Sequence, residues 1–378
     1  MYRFINNGLM ICLLACASLV ISLPAFAGGG GDISEESMAE EAAPEEAMAE
    51  EAASEEAMVE EAPLIKDTDV SIYGRFWPRV TYNDVDGGDS STDITDALSR
   101  VGIKANTQIT ETLSAVLHGE WDVDIEKNGN FGDARQAYVG LRSEDLGMVA
   151  IGKQWDPYFN IVAEVTDIFY HRASPFGYDQ QGPFRSSNLV TYANGFGGLK
   201  INAGMQVDGV SGSNDGGTHS DNVDAASIGV GLSSGPVYIG VSYLRQNQDD
   251  RVIDGNQENR DRNFFGVGGS LNVNDDIYLA VTYQYITDNY DDGRDLNPYT
   301  LDVASSFSFS HGVTALAGFF MSDPDDGNEW VGGNLTLIKE VHPALDVFAE
   351  WVLTDEDQGD TINTFSLGFR YDFDVAIF

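Results

Sequence analysis

"TFSLGFRYDFDVAIF" (Thr364–Phe378) closes the chain and decides the reading of everything before it. Phe365, Leu367, Phe369, Tyr371, Phe373, Val375 and Ile377 alternate with Ser366, Gly368, Arg370, Asp372 and Asp374. A period of two is strand periodicity, so one face wants an apolar environment and the other wants water. At strand rise this run spans about 40 Å, longer than most strands of soluble domains. Either it edges a large soluble sheet, or its apolar surroundings are not protein.

Similar stretches recur upstream. In "VSIYGRFWPRVTY", Val70, Ile72, Phe76, Val80 and Tyr82 alternate with Ser71, Tyr73, Arg75, Trp77, Arg79 and Thr81. "LSAVLHGEWDV", "IYLAVTYQYIT" and "LDVFAEWVLT" behave alike, and no long stretch repeats at 3.6 residues, which predicts an all-β domain from residue 67 onward. The connections alternate in length. Seven are tight: near Thr107, at Ser143–Gly147, Ala193–Gly198, Ser233–Pro236, Val273–Asp276, Phe309–Gly312 and Lys339–Ala344. Between them lie eight longer stretches rich in Asp, Asn and Gly, near 83–96, 124–133, 155–186, 208–223, 246–261, 288–297, 322–328 and 355–362. Fifteen connections predict sixteen strands. An even strand number, with short turns at one rim and long polar loops at the other, is the pattern of a transmembrane β-barrel. Lipid then takes the apolar face and channel water the polar one.

The N-terminus reads as an address. Arg3 precedes the apolar "LMICLLACASLVISL", and "AFA" (Ala25–Ala27) supplies a small-x-small cleavage site, so residues 1–27 are expected to be a cleaved signal peptide. "LLAC" ending at Cys16 weakly resembles a lipoprotein cleavage box. Both cysteines, Cys12 and Cys16, lie in this leader, so the exported chain would have no disulfide. Residues 28–66 carry a ten-residue repeat, "EESMAEEAAP", "EEAMAEEAAS", "EEAMVEEAP". Like charges at i,i+4, as in Glu36/Glu40 and Glu46/Glu50, oppose a helix at neutral pH, so this tail is expected to be disordered or partly helical. The formal charge of −41 becomes −42 once Arg3 is lost with the leader. That balance disfavours nucleic acid and favours cations.

Five scattered histidines (His118, His171, His219, His311, His342) without cysteine partners give no zinc pattern. Neither a nucleophile elbow nor a phosphate-cradling loop occurs, so no catalysis, cofactor or metal is expected. Asn83–Asp93 is acidic enough for Ca²⁺ but departs from the EF-hand spacing.

Several stretches resemble the general trimeric porins of Gram-negative outer membranes. "IYGRFWPRVTY" looks like the porin first strand, and "SRVGIKANTQITETLSAVLHGEWD" like the strand pair that follows. "ARQAYVGLRSEDLGMVAIGKQWDP" looks like the strands leading to the constriction loop, and "RSSNLVTYANGFGGLKINAGMQ" like those after it. "GFRYDF" matches the terminal signal read by the barrel assembly machinery, although porins of this family usually end at the position of Phe373 and here "DVAIF" follows. The resemblance implies a sixteen-stranded antiparallel barrel, a homotrimer in lipid and lipopolysaccharide, and a third outer loop folded into the lumen. Its candidate acids are Asp156, Glu164, Asp167 and Asp179, with Tyr158, Phe159, Phe169, Tyr170, Phe176 and Phe184 packing it. By motif position the facing basic ladder is Arg75, Arg100, Arg135 and Arg185, with Arg79, Lys104, Arg142 and Lys153 weaker candidates. Acids and guanidiniums across a gap create a transverse field that orients dipolar solutes. Trp77 and Trp155 are candidates for solute contact, with packing between loop and wall the alternative. Trp121, Trp330, Trp351, Tyr371 and Phe373 read as interface girdle residues. The expected function is passive diffusion of small hydrophilic solutes and ions, with cation preference. The rivals are a solute-specific channel with a lumenal binding site, and a non-conducting outer-membrane tether or adhesin.

Overall fold

A computed structural model describes residues 68–170, 177–182, 184–207, 223–248, 252–253, 256–257 and 260–377. The expected signal peptide, the acidic repeat, His171, His219, Phe176 and Phe378 lie outside these residues.

Nineteen hydrogen-bonded segments form one antiparallel sheet. Two barrel strands are each interrupted once, and one two-residue segment (Asp295–Leu296) extends an outer loop, so the barrel has sixteen strands. They are β1 (Thr68–Phe76, continued by Pro78–Val85), β2 (Ser91–Asp96, continued by Arg100–Thr110), β3 (Leu113–Val123) and β4 (Phe131–Ser143). Next come β5 (Gly147–Trp155), β6 (Arg185–Phe196), β7 (Leu199–Val207), β8 (Val223–Ser234), β9 (Val237–Gln248) and β10 (Arg260–Asn274). The remainder are β11 (Ile277–Tyr290), β12 (Tyr299–Phe309), β13 (Val313–Asp323), β14 (Trp330–His342), β15 (Leu345–Glu356) and β16 (Ile362–Ala376). Each pairs with its sequence neighbour, and β16 closes on β1, with Gly74 opposite Phe373 and Arg79 opposite Gly368. Closure leaves no unpaired edge, which is what a sheet in lipid requires. The seven tight turns and eight longer connections fall where the alternation placed them. Among the described residues no helix is long and apolar enough to cross a membrane; strands make the crossing.

The terminal strand runs through Ala376. Asp374, Val375 and Ala376 pair with Tyr73, Ile72 and Ser71, so alternation past Phe373 becomes ladder rather than tail. Its apolar set points outward: Leu367 is 67% exposed and Val375 55%, values that would be anomalous in water and are ordinary against acyl chains.

Two local departures from regular pairing aim side chains inward. Pro78 has no N–H for the ladder, and β1 breaks at Trp77. The Trp77 amide instead donates to Ser99 Oγ, while the Asp96 carboxylate accepts from the Ser99 amide. In the β3/β4 pairing, Glu120 faces Gln136 but Trp121 faces Ala134, so Arg135 is the extra residue of a bulge. Alternation with the outward Val139 and Leu141 would send Arg135 into lipid; the bulge turns it into the lumen.

The connection between β5 and β6 folds inside the barrel. It begins with a π-helical turn, Phe159–Ala163, and ends with a short helix, α1 (Gly177–Gln181). Tyr158, Phe159, Ile161, Val162, Ala163, Phe169 and Tyr170 are all buried against the inner wall. Room for them comes from inward glycines on β8 to β10. A Cβ at Gly240 or Gly268 would strike the carbonyl of Ile161 or Val162 respectively.

Candidate functional site: the constricted lumen

The loop is tied to the wall around most of its path. Its neck closes through the Asp156 amide, which donates to Phe184 O at 2.8 Å. Tyr238 Oη donates to Ile161 O (2.8 Å), Thr282 Oγ1 to Val162 O (3.0 Å) and Tyr278 Oη to Val165 O (2.8 Å). Farther along, Tyr170 Oη donates to Asp346 (2.8 Å) and Arg79 donates to Tyr170 O (3.3 Å). The α1 end is held by Asp302, whose carboxylate accepts from the amides of Gly177 and Tyr178, and by Arg262, which donates to Gln181 Oε1. Backbone groups of an irregular segment are thereby satisfied by lumenal side chains, as burial demands.

Two of the expected loop acids open onto the channel. Glu164 is exposed and lies 3.5 Å from Lys200. Asp167 is exposed within the barrel and lies in the electrostatic reach of Arg100, Arg135 and Arg185, the wall it was expected to face. Its depth pushes its pKa up, and those guanidiniums pull it back.

Asp156 is a correction. At 2% exposure it is packed behind the loop, where its Oδ1 accepts from the Tyr158 amide at 2.7 Å. Burial pushes it up to about 6 despite the hydrogen bonds from Tyr158 and Ser227. It shapes the neck and is not presented to the channel. Asp179 lies on α1, and its side chain falls outside the described set.

All four ladder arginines stand on the wall strands β1, β2, β4 and β6, and Arg79 and Arg370 join them. The wall is not purely basic. Arg75 pairs with Asp372 at 2.5 Å, and Arg135 with Glu120 at 2.7 Å and Asp122 at 3.1 Å. Arg100 reaches Glu120 at 3.5 Å, and Arg370 holds both Asp346 and Asp372. Arg79 lies 3.8 Å from Glu350, both nearly fully buried. Interleaved charges of both signs hold the side chains in one arrangement and weaken any one-signed field. Arg370 and Asp372 were legible as inward residues from the alternation of the closing strand. That they pair with Arg75 and Asp346 was not legible, because those contacts cross between strands.

The two tryptophans pack the loop onto the wall. Trp77, 5% exposed, meets Tyr170 edge-on with ring centroids 4.9 Å apart, under the guanidiniums of Arg75 and Arg370. Trp155 stacks on Phe159 at 4.3 Å, with Arg185 over its ring at 4.7 Å. Of the girdle residues, Trp121 and Tyr371 face lipid, and Trp351 shares the outward face of β15 with Val347. Trp330 does not: it shares the inward face of β14 with Asn334 and lies against Phe320, ring centroids 6.0 Å apart.

The geometry is that of a sixteen-stranded barrel narrowed from within by one pinned loop, with charged side chains on the loop and on the wall it faces. The family model for Gram-negative porins matches residues 39–376. The chain is 26% identical over 341 residues to an outer membrane porin protein of Bordetella pertussis, covering 81% of this chain and 86% of that one. Among solved structures it is similar to an anion-selective porin from Comamonas acidovorans (TM-score 0.68, 18% identity, 81% of this chain and 100% of that one). It is also similar to in-vitro folded OmpT of Vibrio cholerae in its trimer form (TM-score 0.65, 16% identity, 81% and 100%). At such identities the structural likeness speaks for the fold alone. The family match covers most of the chain, and with the barrel it places the protein in the outer membrane: this chain belongs to the Gram-negative porin family.

Proposed function

We propose that the protein is a passive diffusion channel for small hydrophilic solutes and ions, with a preference for cations. The observation that carries the preference is the charge balance in the lumen. Arg75, Arg79, Arg100, Arg135 and Arg370 each lie within ion-pair distance of a wall acid, so the ladder largely compensates itself. Glu164 is offset by Lys200 and no ion pair is seen for Arg142 or Arg185 among the described residues, so the excess of acid comes from Asp167 on the loop and from an acidic chain as a whole, with net charge −41. A lumen whose uncompensated charge is negative concentrates cations. Residues 1–27 serve as a cleaved leader, and 28–66 form an acidic tail that precedes the barrel in the sequence. Three copies assemble, in keeping with the trimer form of the Vibrio relative. The outer membrane supplies lipid and lipopolysaccharide around them, and the terminal strand is the segment read by the assembly machinery.

The test is the reversal potential of purified protein in a planar bilayer under a KCl gradient. A cation-signed potential supports the reading. An anion-signed one means that the arginines outweigh the acids, and absence of openings from folded protein sinks the channel reading.

A further inference from the structure

Below the pinned loop, toward the short-turn rim, the inner wall of β2 to β7 opens into an alcove of about 550 Å³. The short-turn rim is the periplasmic one in barrels of this kind. Asn106, Ser114, Arg142, Met148, Lys200 and Asn202 line it. Register explains why they converge. Ser114 pairs with Arg142, Arg142 with Met148, Met148 with Ala193 and Ala193 with Asn202, so one inward row runs around the wall.

Three features of this row point to a ligand. Arg142 is exposed and makes no ion pair among the described residues, its guanidinium donating to Met148 Sδ at 3.6 Å, unlike the compensated arginines above it. Lys200 lines the same alcove, its Nζ 3.0 Å from Asn160 O and 3.5 Å from Glu164. Asn106 and Asn202 add side-chain amides to the same lining, and an amide NH2 is a donor from which a carboxylate can accept.

We infer that this alcove is a periplasmic-side binding site for small carboxylates, anchored by Arg142. An uncompensated guanidinium offers a planar fork to a carboxylate, and Lys200 and the side-chain amides supply further donors. Glu144 at the rim and Glu164 above offset part of the positive charge, so the match of the planar guanidinium fork to a planar carboxylate, and not charge alone, selects the ligand over a tetrahedral phosphate. The site would hold an anion beside a path that passes cations, slowing anionic solutes on one side of the constriction. It rests on the lumen being open to solute, yet it uses a wall position outside the arginine ladder.

Succinate is the probe. Binding of labelled succinate to the folded, full-length protein in detergent reads the site without any current, and current block in bilayers reads it in the channel. Saturable binding is expected in the millimolar range, with Arg142→Gln weakening it at least ten-fold and the exposed Lys339→Gln leaving it unchanged. Heat-modifiable gel mobility checks that each variant is folded. Absent or non-saturable binding overturns the site, as does an affinity unaltered in Arg142→Gln. Tighter binding of inorganic phosphate than of succinate at neutral pH overturns the carboxylate assignment. If succinate binds but the bilayer shows no openings, the channel reading fails and the site stands.

Discussion

Gly268 offers the sharpest test of how the loop is seated. Its Cβ position coincides with the Val162 carbonyl, well inside van der Waals contact, whereas its neighbour Gly269 has only Tyr238 O, at 3.6 Å. Gly268→Ala therefore forces the turn at Val162 back by roughly an ångström. Overpacking of this kind costs about 1–3 kcal/mol. The same shift strains the Thr282 bond to Val162 O, worth about 1 kcal/mol. Against this, Ile161 and Val162 are fully buried and contribute roughly 3–6 kcal/mol together. The turn should therefore loosen without leaving the wall. Hydrogen exchange at residues 159–163 reads the difference directly. One to three kcal/mol of lost protection corresponds to roughly five- to one-hundred-fold faster exchange, if opening is local. Gly269→Ala, on the lipid face, should exchange like the parent. Unchanged protection in Gly268→Ala, or equal loosening in Gly269→Ala, would refute the claim that inward glycines seat the loop.

Other consequences follow from named contacts. Asp156 has a folded pKa raised to about 6, so the folded state binds its proton more tightly than the unfolded chain does. Stability is then fullest below about pH 4 for this group and falls as pH rises through 6, by about 3 kcal/mol in all. Asp156→Asn should abolish that slope in a pH series of melting temperatures and stabilise the loop neck at pH 7.5. Arg79→Met strands Glu350 in a buried site and releases Tyr170 O, a loss of about 3–5 kcal/mol that a lower melting temperature would reveal. Arg135→Gln leaves Glu120 and Asp122 less compensated, so the reversal potential should move in the cation direction; movement toward anions would contradict the charge balance argued above. A chain ended at Phe373 loses the pairing of Asp374–Ala376 with β1, and should still form a barrel but unfold at lower temperature.

The strands, their number and the two rims of unequal loops were written in local sequence. Each depends on short-range facts: alternation at period two, turn residues such as the Ser-Gly-Pro before β9, and the length of the stretch between Gln154 and Arg185. The wall arginines were named by motif position, from the resemblance to the porin family, and alternation, which fixes the face a strand residue takes, agrees with it at Arg75 on β1 and Arg100 on β2. That same rule misplaced Trp330, whose surroundings depend on where β14 starts relative to the membrane, and it could not account for Arg135. One inserted residue in β4 flips a side chain from lipid to water, and the bulge exists only in the pairing with β3.

Asp156 was legible as a loop acid but not as a buried one, since its burial comes from folding the loop back onto β7 and β8. The charge pairs lay furthest out of reach. Arg75 meets Asp372 across the barrel's closing seam, 297 residues away in the chain. The sequence by itself determined that there would be a membrane barrel with a long inner loop, because lipid and water each impose a periodicity that residues carry locally. Only the tertiary structure decided which charges neutralise one another, because closing a sheet brings together strands that no local pattern relates.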